Sequence, residues 1–246
     1  MFIRLPTKTI PILFYNSMIR YPIFLLLPLF LITLEAKSPN PCSNQKDKAE
    51  QKECFQKQYQ TADKELNEVY KNVRKSLSDP DKEELKKVQR LWIGYRDGVC
   101  EGPMYSSDET GIETISCKAD ATKARTSYLQ KVWIFGKFPK DGLGIYTDGF
   151  GGRLRLFRAK GKSDRFQLNV VRGPTAHLGE MDGDWTPNPE GKWTWSSPQN
   201  CKAEDPECCI LKFQTFDTRI EVEEVACSGF HGARAYFDGD YRYEFK

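Results

Sequence analysis

The sequence predicts an α+β fold: an N-terminal disulfide-bonded helical hairpin or three-helix domain, followed by a C-terminal antiparallel β-barrel or sandwich. Three observations predict this class. Residues 45–77 contain no glycine or proline and are rich in good helix formers. Beyond residue 134, glycine, aromatic and β-branched residues dominate, and they fall in short alternating runs. The chain of 246 residues has eight cysteines, an even number that suits a secreted protein with disulfides.

Residues 1–36 have the pattern of a signal peptide. The apolar run over 22–34 is shorter than the roughly 20 residues that a membrane span needs. Arg20 supplies the positive flank, and Ala36 is a suitable small residue before a cleavage site. We therefore expect cleavage near Ala36. The competing interpretation is an uncleaved segment that anchors the protein in the membrane.

The start of the mature protein bears on its location. Met18 would give a more compact signal peptide than Met1 does. The first cysteine, Cys42, follows Pro41, a poor context for lipid attachment. We therefore expect a soluble protein of the bacterial envelope, either periplasmic or secreted.

Residues 37–133 are predicted to form the helical domain. The first helix carries one apolar stripe at spacings of three and four, formed by Phe55, Tyr59, Ala62, Leu66, Val69 and Val73. The sequence over 78–80 ends this helix, and Asp79 is the expected cap of the next one. The second helix is expected to turn these residues inward: Leu85, Val88, Leu91, Trp92 and Tyr95. A third helix is expected over 114–132, with Ala121, Ala124, Tyr128, Leu129 and Val132 inward.

Residues 134–142 are the expected linker, and 143–246 are the expected antiparallel β domain. Alternating runs predict strands over 153–157, 166–171, 210–213, 220–222 and 235–237. Dipeptides that contain glycine predict turns at 148–149, 151–152, 182–183 and 238–239.

Polar residues recur on the helices at spacings that place them on one face. Asp63, Asn67 and Tyr70 share a face of the first helix, as do Gln89, Trp92 and Arg96 on the second. A hairpin that turns at 78–80 brings residue 63 opposite about 95. We therefore expect Asp63 to pair with Arg96, and Asn67 to pair with Gln89, so that these residues hold the helices together.

This pattern resembles the lysozyme inhibitor LprI family over about residues 42–131. The matching positions are Ala62, Asp63, Leu66, Asn67, Tyr70, Gln89, Trp92, Arg96, Cys100, Cys117 and Arg125. The resemblance implies a small, helical, disulfide-bonded, exported domain with lysozyme as its partner. The named member of that family is lipid-anchored, and this sequence departs from it there.

The cysteines divide into two groups of four: Cys42, Cys54, Cys100 and Cys117, then Cys201, Cys208, Cys209 and Cys227. Each group permits three connectivities. The predicted hairpin places Cys54 beside Cys100, which leaves Cys42 for Cys117. In the second group we expect Cys201–Cys208 within a loop and Cys209–Cys227 between two strands. Metal binding is the competing interpretation, and the spacings fit zinc knuckles poorly.

Acidic residues and tryptophans are the candidate binding groups of the β domain. Glu180, Asp182 and Asp184, and also the acidic run over 204–207, lie in sequences typical of turns, where binding groups often lie. Trp185, Trp193 and Trp195 are expected to fill the core, and the alternative is that they stack on sugar rings.

The remaining patterns argue against other classes. A net charge of +3 is too balanced for a nucleic-acid binder. No phosphate-binding loop or dinucleotide fingerprint occurs, so no cofactor is expected. Ser228 and His231 are close in sequence but lack an orienting acid.

The sequence thus predicts an exported, non-enzymatic envelope protein that inhibits lysozyme by occluding its cleft. The alternatives are an adhesin or carbohydrate-binding module that contacts cell-wall glycan and, more remotely, a wall hydrolase whose acid pair comes from the residues at 180–184.

Overall fold

A computed structural model describes residues 40–105, 107–133, 138–160, 163–173 and 175–245. The expected signal peptide, its cleavage site and the alternative start at Met18 lie outside these ranges, as do residues 134–137 of the expected linker. Within the described ranges, no helix combines the length and the apolar character that crossing a membrane requires.

The N-terminal part is helical, as the sequence predicts. A short 3₁₀ helix is followed by three α-helices: Pro41–Asn44, then α1 over Lys48–Ser76, α2 over Asp79–Cys100 and α3 over Ile112–Val132. Asp47 caps α1, because its side chain accepts a hydrogen bond from the Ala49 amide at 2.7 Å. The cap of α2 is Ser78, one residue earlier than the expected Asp79.

The main partner of α1 is α3, whereas the sequence predicts a close α1–α2 hairpin. Ala62 on α1 is buried, as are Ala119, Thr122 and Thr126 on α3. Small side chains let two helix backbones approach closely. On α2 the large Trp92 side chain fills the space towards the other helices, so α2 stands further from α1.

The predicted inward face of α2 is right except at one residue. Leu85 and Trp92 are buried, and Val88 and Tyr95 pack against the same helical core. Leu91 is 57% exposed, contrary to the prediction. Leu91 lies about 100° from Trp92 around the helix, at the edge of the apolar stripe, where it reaches solvent.

All eight cysteines form disulfides, and half of the predicted pairing is wrong. The bonds in the barrel are the expected Cys201–Cys208 and Cys209–Cys227. Those in the helical part are Cys42–Cys54 and Cys100–Cys117, where the sequence predicted Cys54–Cys100 and Cys42–Cys117. The 3₁₀ helix folds back onto the first turns of α1, and the end of α2 meets α3, so each cysteine reaches its nearest neighbour in sequence.

Eight antiparallel strands form the C-terminal part. Their bounds are β1 Gly144–Thr147, β2 Gly152–Arg158, β3 Asp164–Arg172, β4 His177–Asp184, β5 Lys192–Ser197, β6 Cys209–Thr215, β7 Arg219–Val225 and β8 Gly239–Tyr243. The strand order is β4-β3-β2-β1-β8-β7-β6-β5, which is two four-strand meanders joined by the β1–β8 pair.

The sheet curls into a nearly closed barrel, because its two edge strands, β4 and β5, approach each other. Gly183 on β4 lies against Trp195 on β5, and an added Cβ at Gly183 would collide with the indole Nε1. The rings of Phe166 and Trp195 meet edge to face with centroids 5.4 Å apart. The alternating inward side chains of the strands fill one apolar core.

Two of the sequence predictions for the barrel are wrong. The predicted turn at 182–183 lies inside β4, where glycine serves close packing. The predicted strand over 235–237 is not part of the sheet, although Phe237 is fully buried. Side chains take the place of strand partners there: the Phe237 amide donates to Glu224 at 2.6 Å, and the Tyr236 carbonyl accepts from Arg172 at 2.7 Å.

The helices and the barrel are packed against each other. Phe150, in the turn between β1 and β2, contacts the helical core and lies edge to face with Tyr95. The Phe245 amide donates to the carbonyl of Lys131, the second-last residue of α3, at 2.9 Å. Arg242 on β8 forms an ion pair with Glu84 on α2. This junction creates the cavities considered below.

Candidate functional site

The predicted motif residues of the helical part surround one groove between α1 and α2, which we call the α1–α2 groove. It has a volume of about 400 Å³. Seven of the eight motif residues line it: Asp63, Leu66, Asn67, Tyr70, Gln89, Trp92 and Arg96. Leu66 and Trp92 belong to the buried floor, whereas Asn67 is exposed. The motif therefore consists of a structural floor and an accessible polar rim.

Arg96 does not pair with Asp63, contrary to the sequence prediction. Its Nη2 lies 2.9 Å from the Asp97 carboxylate, and the guanidinium lies 5.6 Å from the centre of the Tyr59 ring on α1. Asp63 instead accepts a hydrogen bond from Asn67 Nδ2 at 3.0 Å, one turn along the same helix. Arg96 thus meets α1 about one turn before the expected position, and its carboxylate partner is the next residue on its own helix.

Gln89 also has a different partner from the expected Asn67. Its Oε1 accepts a hydrogen bond at 3.0 Å from Nε of Arg125, the eighth motif residue, which lies on α3. The Arg125 guanidinium stacks on aromatic rings, 4.5 Å from the centre of Tyr128 and 5.3 Å from that of Trp92. The pair therefore connects α2 to α3 rather than α1 to α2.

Arg125 is the most unusual charge in the helical part. The residue is 1% exposed, yet neither Nη1 nor Nη2 has a hydrogen-bond partner among the described residues. Burial lowers the pKa of the guanidinium to about 10, although Tyr128 and Asp148 act in the opposite direction. The family resemblance pointed to Arg125, but nothing in the sequence pattern indicated that it is buried.

A second buried arginine, which sequence reasoning missed, lies in the barrel at the junction with the helices. Arg172 Nη2 donates to Asp148 Oδ2 at 2.5 Å, and both side chains are at least 96% buried. Burial by itself would lower the pKa of Arg172, but Asp148, Tyr241 and Tyr236 together outweigh it and the pKa is raised. Asp148 also accepts from the Phe150 and Gly152 amides at 2.8 Å, so the pair fixes the β1–β2 turn.

The three predicted partner-binding carboxylates lie on β4 and not in a turn. Glu180, Asp182 and Asp184 alternate with buried residues, so all three point to the outer face of this edge strand. Arg165 on β3 contacts two of them, at 2.6 Å from Asp182 and 3.4 Å from Asp184. Glu180 accepts a hydrogen bond from Gln167 at 3.1 Å. The strand thus presents three carboxylates, of which two share Arg165, and this gives its outer face a local negative charge.

Comparison with known proteins identifies the family. The model of the family "Lysozyme inhibitor LprI" matches residues 42–129. The uncharacterized protein R02472 of Rhizobium meliloti (strain 1021) is 32% identical over 114 residues, which cover 39% of this chain and 82% of that protein. The chain belongs to the LprI family. The uncharacterized protein YecT of Escherichia coli (strain K12) is 31% identical over 97 residues, covering 32% of this chain and 60% of YecT.

The LprI match covers the helices up to the last turn of α3, and all eight strands lie outside the matched residues. No solved structure matches the chain. The family is described as one of lysozyme inhibitors, which is a binding function and not a catalytic one. The α1–α2 groove and Arg125 therefore belong to the LprI part of the molecule, whereas the β4 carboxylates belong to the part beyond it.

The barrel tryptophans fill the interior, as aromatic residues on strands usually do. Trp185 is 7% exposed and belongs to the barrel core. Trp193 and Trp195 are half-buried and pack against the same core. Their packing accounts for all three residues and gives no support to the sugar-stacking alternative.

The contacts of His231 bear on the Ser228–His231 pair, for which the sequence shows no orienting acid; the structure supplies one, Glu224. Its Nε2 lies 3.1 Å from Glu224 Oε1, and its Nδ1 lies 3.0 Å from the Gly232 carbonyl oxygen. Both ring nitrogens are engaged, so His231 has none to turn towards the exposed hydroxyl of Ser228. A nucleophile needs a base within hydrogen-bond reach, and this arrangement does not supply one.

Proposed function

We propose that this LprI-family protein is exported to the bacterial envelope, binds lysozyme and inhibits it by occluding the substrate cleft. The observation that carries the proposal is the match of residues 42–129 to a family described as lysozyme inhibitors. The 32% identity to an uncharacterized relative over most of that relative's length supports membership of this family.

The outer face of β4 is the contact surface that we favour. The side chains of Asp182 and Asp184 are 64% and 63% exposed, so both remain accessible despite their contacts with Arg165. A strand holds the three carboxylates in a fixed row, spaced about 7 Å apart along one face. A cationic enzyme could accept such a row with little loss of conformational entropy on either side.

Attraction between the two proteins must come from such local patches. The formal net charge of this chain is +3, so its overall field does not attract a cationic partner. Complementary patches steer the encounter and fix the orientation, and salt screens them. The proposal therefore requires inhibition to weaken as ionic strength rises.

Export is supported by the disulfides together with the N-terminal sequence. The eight cysteines form four disulfides, which persist in oxidising compartments such as the periplasm. The apolar run over 22–34 suits a signal peptide that directs the chain there.

The decisive experiment is a turbidity assay in which animal-type lysozyme lyses bacterial cells with and without the purified, oxidised protein. We expect lysis to slow in proportion to inhibitor and to recover at high salt. Unchanged lysis at inhibitor concentrations far above that of the enzyme would refute the proposed function.

A triple variant tests the contact surface. Exchanging Glu180 for Gln, and Asp182 and Asp184 for Asn, should weaken inhibition and flatten its salt dependence. The matched control exchanges Glu65, Glu68 and Glu109 for Gln. These three residues are exposed in the helical part, so the control changes the net charge by the same amount without touching β4. Equal loss in both variants would show that only net charge matters.

The α1–α2 groove is the competing contact surface for the same function. Ile93 lines this groove and is 41% exposed, so Ile93→Glu should disturb a partner there without disturbing the core. We expect this variant to inhibit normally. Loss of inhibition in Ile93→Glu alone, with the β4 triple variant fully active, would move the contact surface to the groove.

A further inference from the structure

We propose that the cavity between α3 and the β1–β2 turn binds the carboxylate group of a small organic acid. We call this space the junction cavity. It has no residue in common with the outer face of β4, and it shares only Trp92 with the α1–α2 groove. Its volume is about 490 Å³, within the range of about 300–1,000 Å³ that small-molecule sites occupy. The residues that matter for the proposal are Trp92, Tyr95, Arg125, Tyr128, Lys131 and Arg153.

The charges around the junction cavity favour an anion. Three cationic side chains and one carboxylate line it: Arg125, Lys131 and Arg153, with Glu244. The Lys131 ammonium lies 3.2 Å from the Glu244 carboxylate, so these two charges balance each other. Among the described residues, neither Arg125 nor Arg153 has an ion-pair partner. The cavity therefore keeps a positive charge in its interior and another on the exposed part of its wall.

Arg125 supplies the specific indication of a ligand. A buried charge is normally paired and hydrogen-bonded, because burial without a partner is costly. Only Nε of Arg125 is satisfied, by Gln89, while both Nη groups are buried without acceptors. The rings of Tyr128 and Trp92 stabilise the cation, but neither residue forms a hydrogen bond of normal geometry with Nη1 or Nη2. A carboxylate would accept from them in the two-pronged geometry that guanidinium groups favour.

The guanidinium is covered in part by the backbone of the β1–β2 turn. Arg125 is 1% exposed, so an anion must displace part of the wall to reach the Nη groups. Gly149 forms the part nearest Nη1: a Cβ added to it would lie 2.6 Å from that atom. Gly149 adopts φ +73° and carries no side chain, so a local movement at this residue would uncover Nη1. The movement must leave Phe150 in place, because its ring packs against the helical core.

The rest of the lining indicates what the carboxylate is attached to. Beyond the charges, the wall is formed mainly by Trp92, Tyr95, Tyr128 and Val132, which present rings and aliphatic groups. Such a wall favours a ligand whose carboxylate is attached to an apolar group. A free aromatic or branched acid and the C-terminal residue of a peptide both have this chemistry.

The test is calorimetric titration of the full oxidised protein with benzoate and with its uncharged analogue benzamide. We expect benzoate to bind and benzamide not to bind. The indole N–H resonance of Trp92 should shift on titration, whereas that of Trp185, in the barrel core, should not. Binding of both probes with equal affinity, or no benzoate binding at about 10 mM, would overturn the proposal.

Variants locate the site. Arg153→Gln should weaken benzoate binding about fivefold, since an exposed charge contributes modestly. The matched control is Arg155→Gln, because Arg155 is exposed on the same strand but does not line the cavity. Arg125→Met should weaken binding more than tenfold. An Arg153→Gln variant that binds like the parent, or an equal loss in Arg155→Gln, would contradict the proposal even if Arg125→Met failed to fold.

A second pair of probes distinguishes the two sources of the carboxylate. N-acetyl-alanyl-phenylalanine carries a peptide C-terminus, and its C-terminal amide is the control. Tighter binding of the peptide acid than of benzoate assigns the site to a chain end, and the reverse assigns it to a free acid. Binding of the peptide amide as tight as that of the peptide acid would refute carboxylate recognition.

Discussion

The buried ion pair between Arg172 and Asp148 makes the sharpest prediction about stability. Asp148→Asn keeps the Oδ1 acceptor that the Phe150 and Gly152 amides use at 2.8 Å. It replaces Oδ2, which accepts from Arg172 Nη2, with an NH₂ group. The variant thus leaves the β1–β2 turn its hydrogen bonds and removes only the counter-charge of a buried guanidinium.

The expected loss follows from what remains around Arg172. Removing one partner of a buried ion pair costs about 3–5 kcal/mol, because the other charge stays buried. Arg172 still donates to the carbonyls of Tyr236 and Phe150, at 2.7 and 3.3 Å. These acceptors place the expected loss in the free energy of unfolding near the lower end, about 3 kcal/mol.

Urea unfolding at pH 7 measures this loss. The midpoint urea concentration should fall, whereas the dependence of the free energy of unfolding on urea concentration should stay the same. The matched control is Asp164→Asn, because Asp164 pairs with Arg158, whose side chain is 61% exposed. That pair should contribute below about 1 kcal/mol. A loss below about 1 kcal/mol in Asp148→Asn, or equal losses in both variants, would refute the conclusion that burial makes the pair important.

Three further predictions concern other parts of the molecule. Arg125→Met should raise the free energy of unfolding by about 1–3 kcal/mol in thermal or urea unfolding. The reason is that a pKa lowered from 12.5 to about 10 means that the site disfavours the charge by about 3 kcal/mol. A variant less stable than the parent by more than about 1 kcal/mol would contradict this. Hydrogen bonds, chiefly from Thr110, lower the pKa of Asp108 from 3.8 to about 2, so its stabilising contribution should be complete above pH 4 and lost as the pH falls towards 2. Carboxyl NMR should give that midpoint, and Thr110→Ala should raise it; a midpoint near 3.8 in the parent would be inconsistent with these hydrogen bonds. Gly183→Ala should cost about 1–3 kcal/mol, because its Cβ would meet Trp195, whereas Gly94→Ala, with open space on α2, should stabilise by about 0.5–1 kcal/mol. Similar effects in the two glycine variants would contradict the close approach of β4 and β5.

Periodicity predicted the helices well but not their partners. The stripe on α1 is buried at Phe55, Ala62, Leu66 and Val73, because spacing fixes which face of a helix is apolar. It does not state which helix covers that face. The wrong assumption that α2 covers α1 produced the wrong Asp63–Arg96 pair and both wrong disulfides in the helical part. The small side chains of α3 were the signal that would have shown its close approach to α1.

Glycine carried an ambiguous signal in the barrel. At 148–149 it marked the turn between β1 and β2, as predicted. At Gly183 the same Asp-Gly dipeptide lies within β4, where the missing Cβ makes room for Trp195. A dipeptide cannot distinguish these uses, because the ring that needs the space comes from a strand 12 residues further along the chain.

The two buried arginines show why part of the candidate site escaped prediction. From the sequence alone, Arg125 and Arg172 are both expected to be exposed to solvent, since arginine is seldom fully buried. Asp148, the partner of Arg172, is 24 residues away in sequence and comes close only when the barrel forms. The family pattern placed Arg125 among the motif residues, but its environment depends on Phe150 and Gly149, which lie outside the family match. The predicted division into domains at 134–142 stays a prediction.

The disulfides have a consequence for how the chain acquires its covalent structure. The disulfides join the cysteines in consecutive pairs along the chain, the first to the second, the third to the fourth and so on, over separations of 12, 17, 7 and 18 residues. An oxidant that joins thiols in the order in which they emerge from a translocation pore would therefore form the native set directly. No bond needs a later cysteine to displace an earlier partner, so reshuffling by an isomerase is unnecessary. Production of this protein should accordingly depend on a thiol oxidant and tolerate the loss of disulfide isomerase.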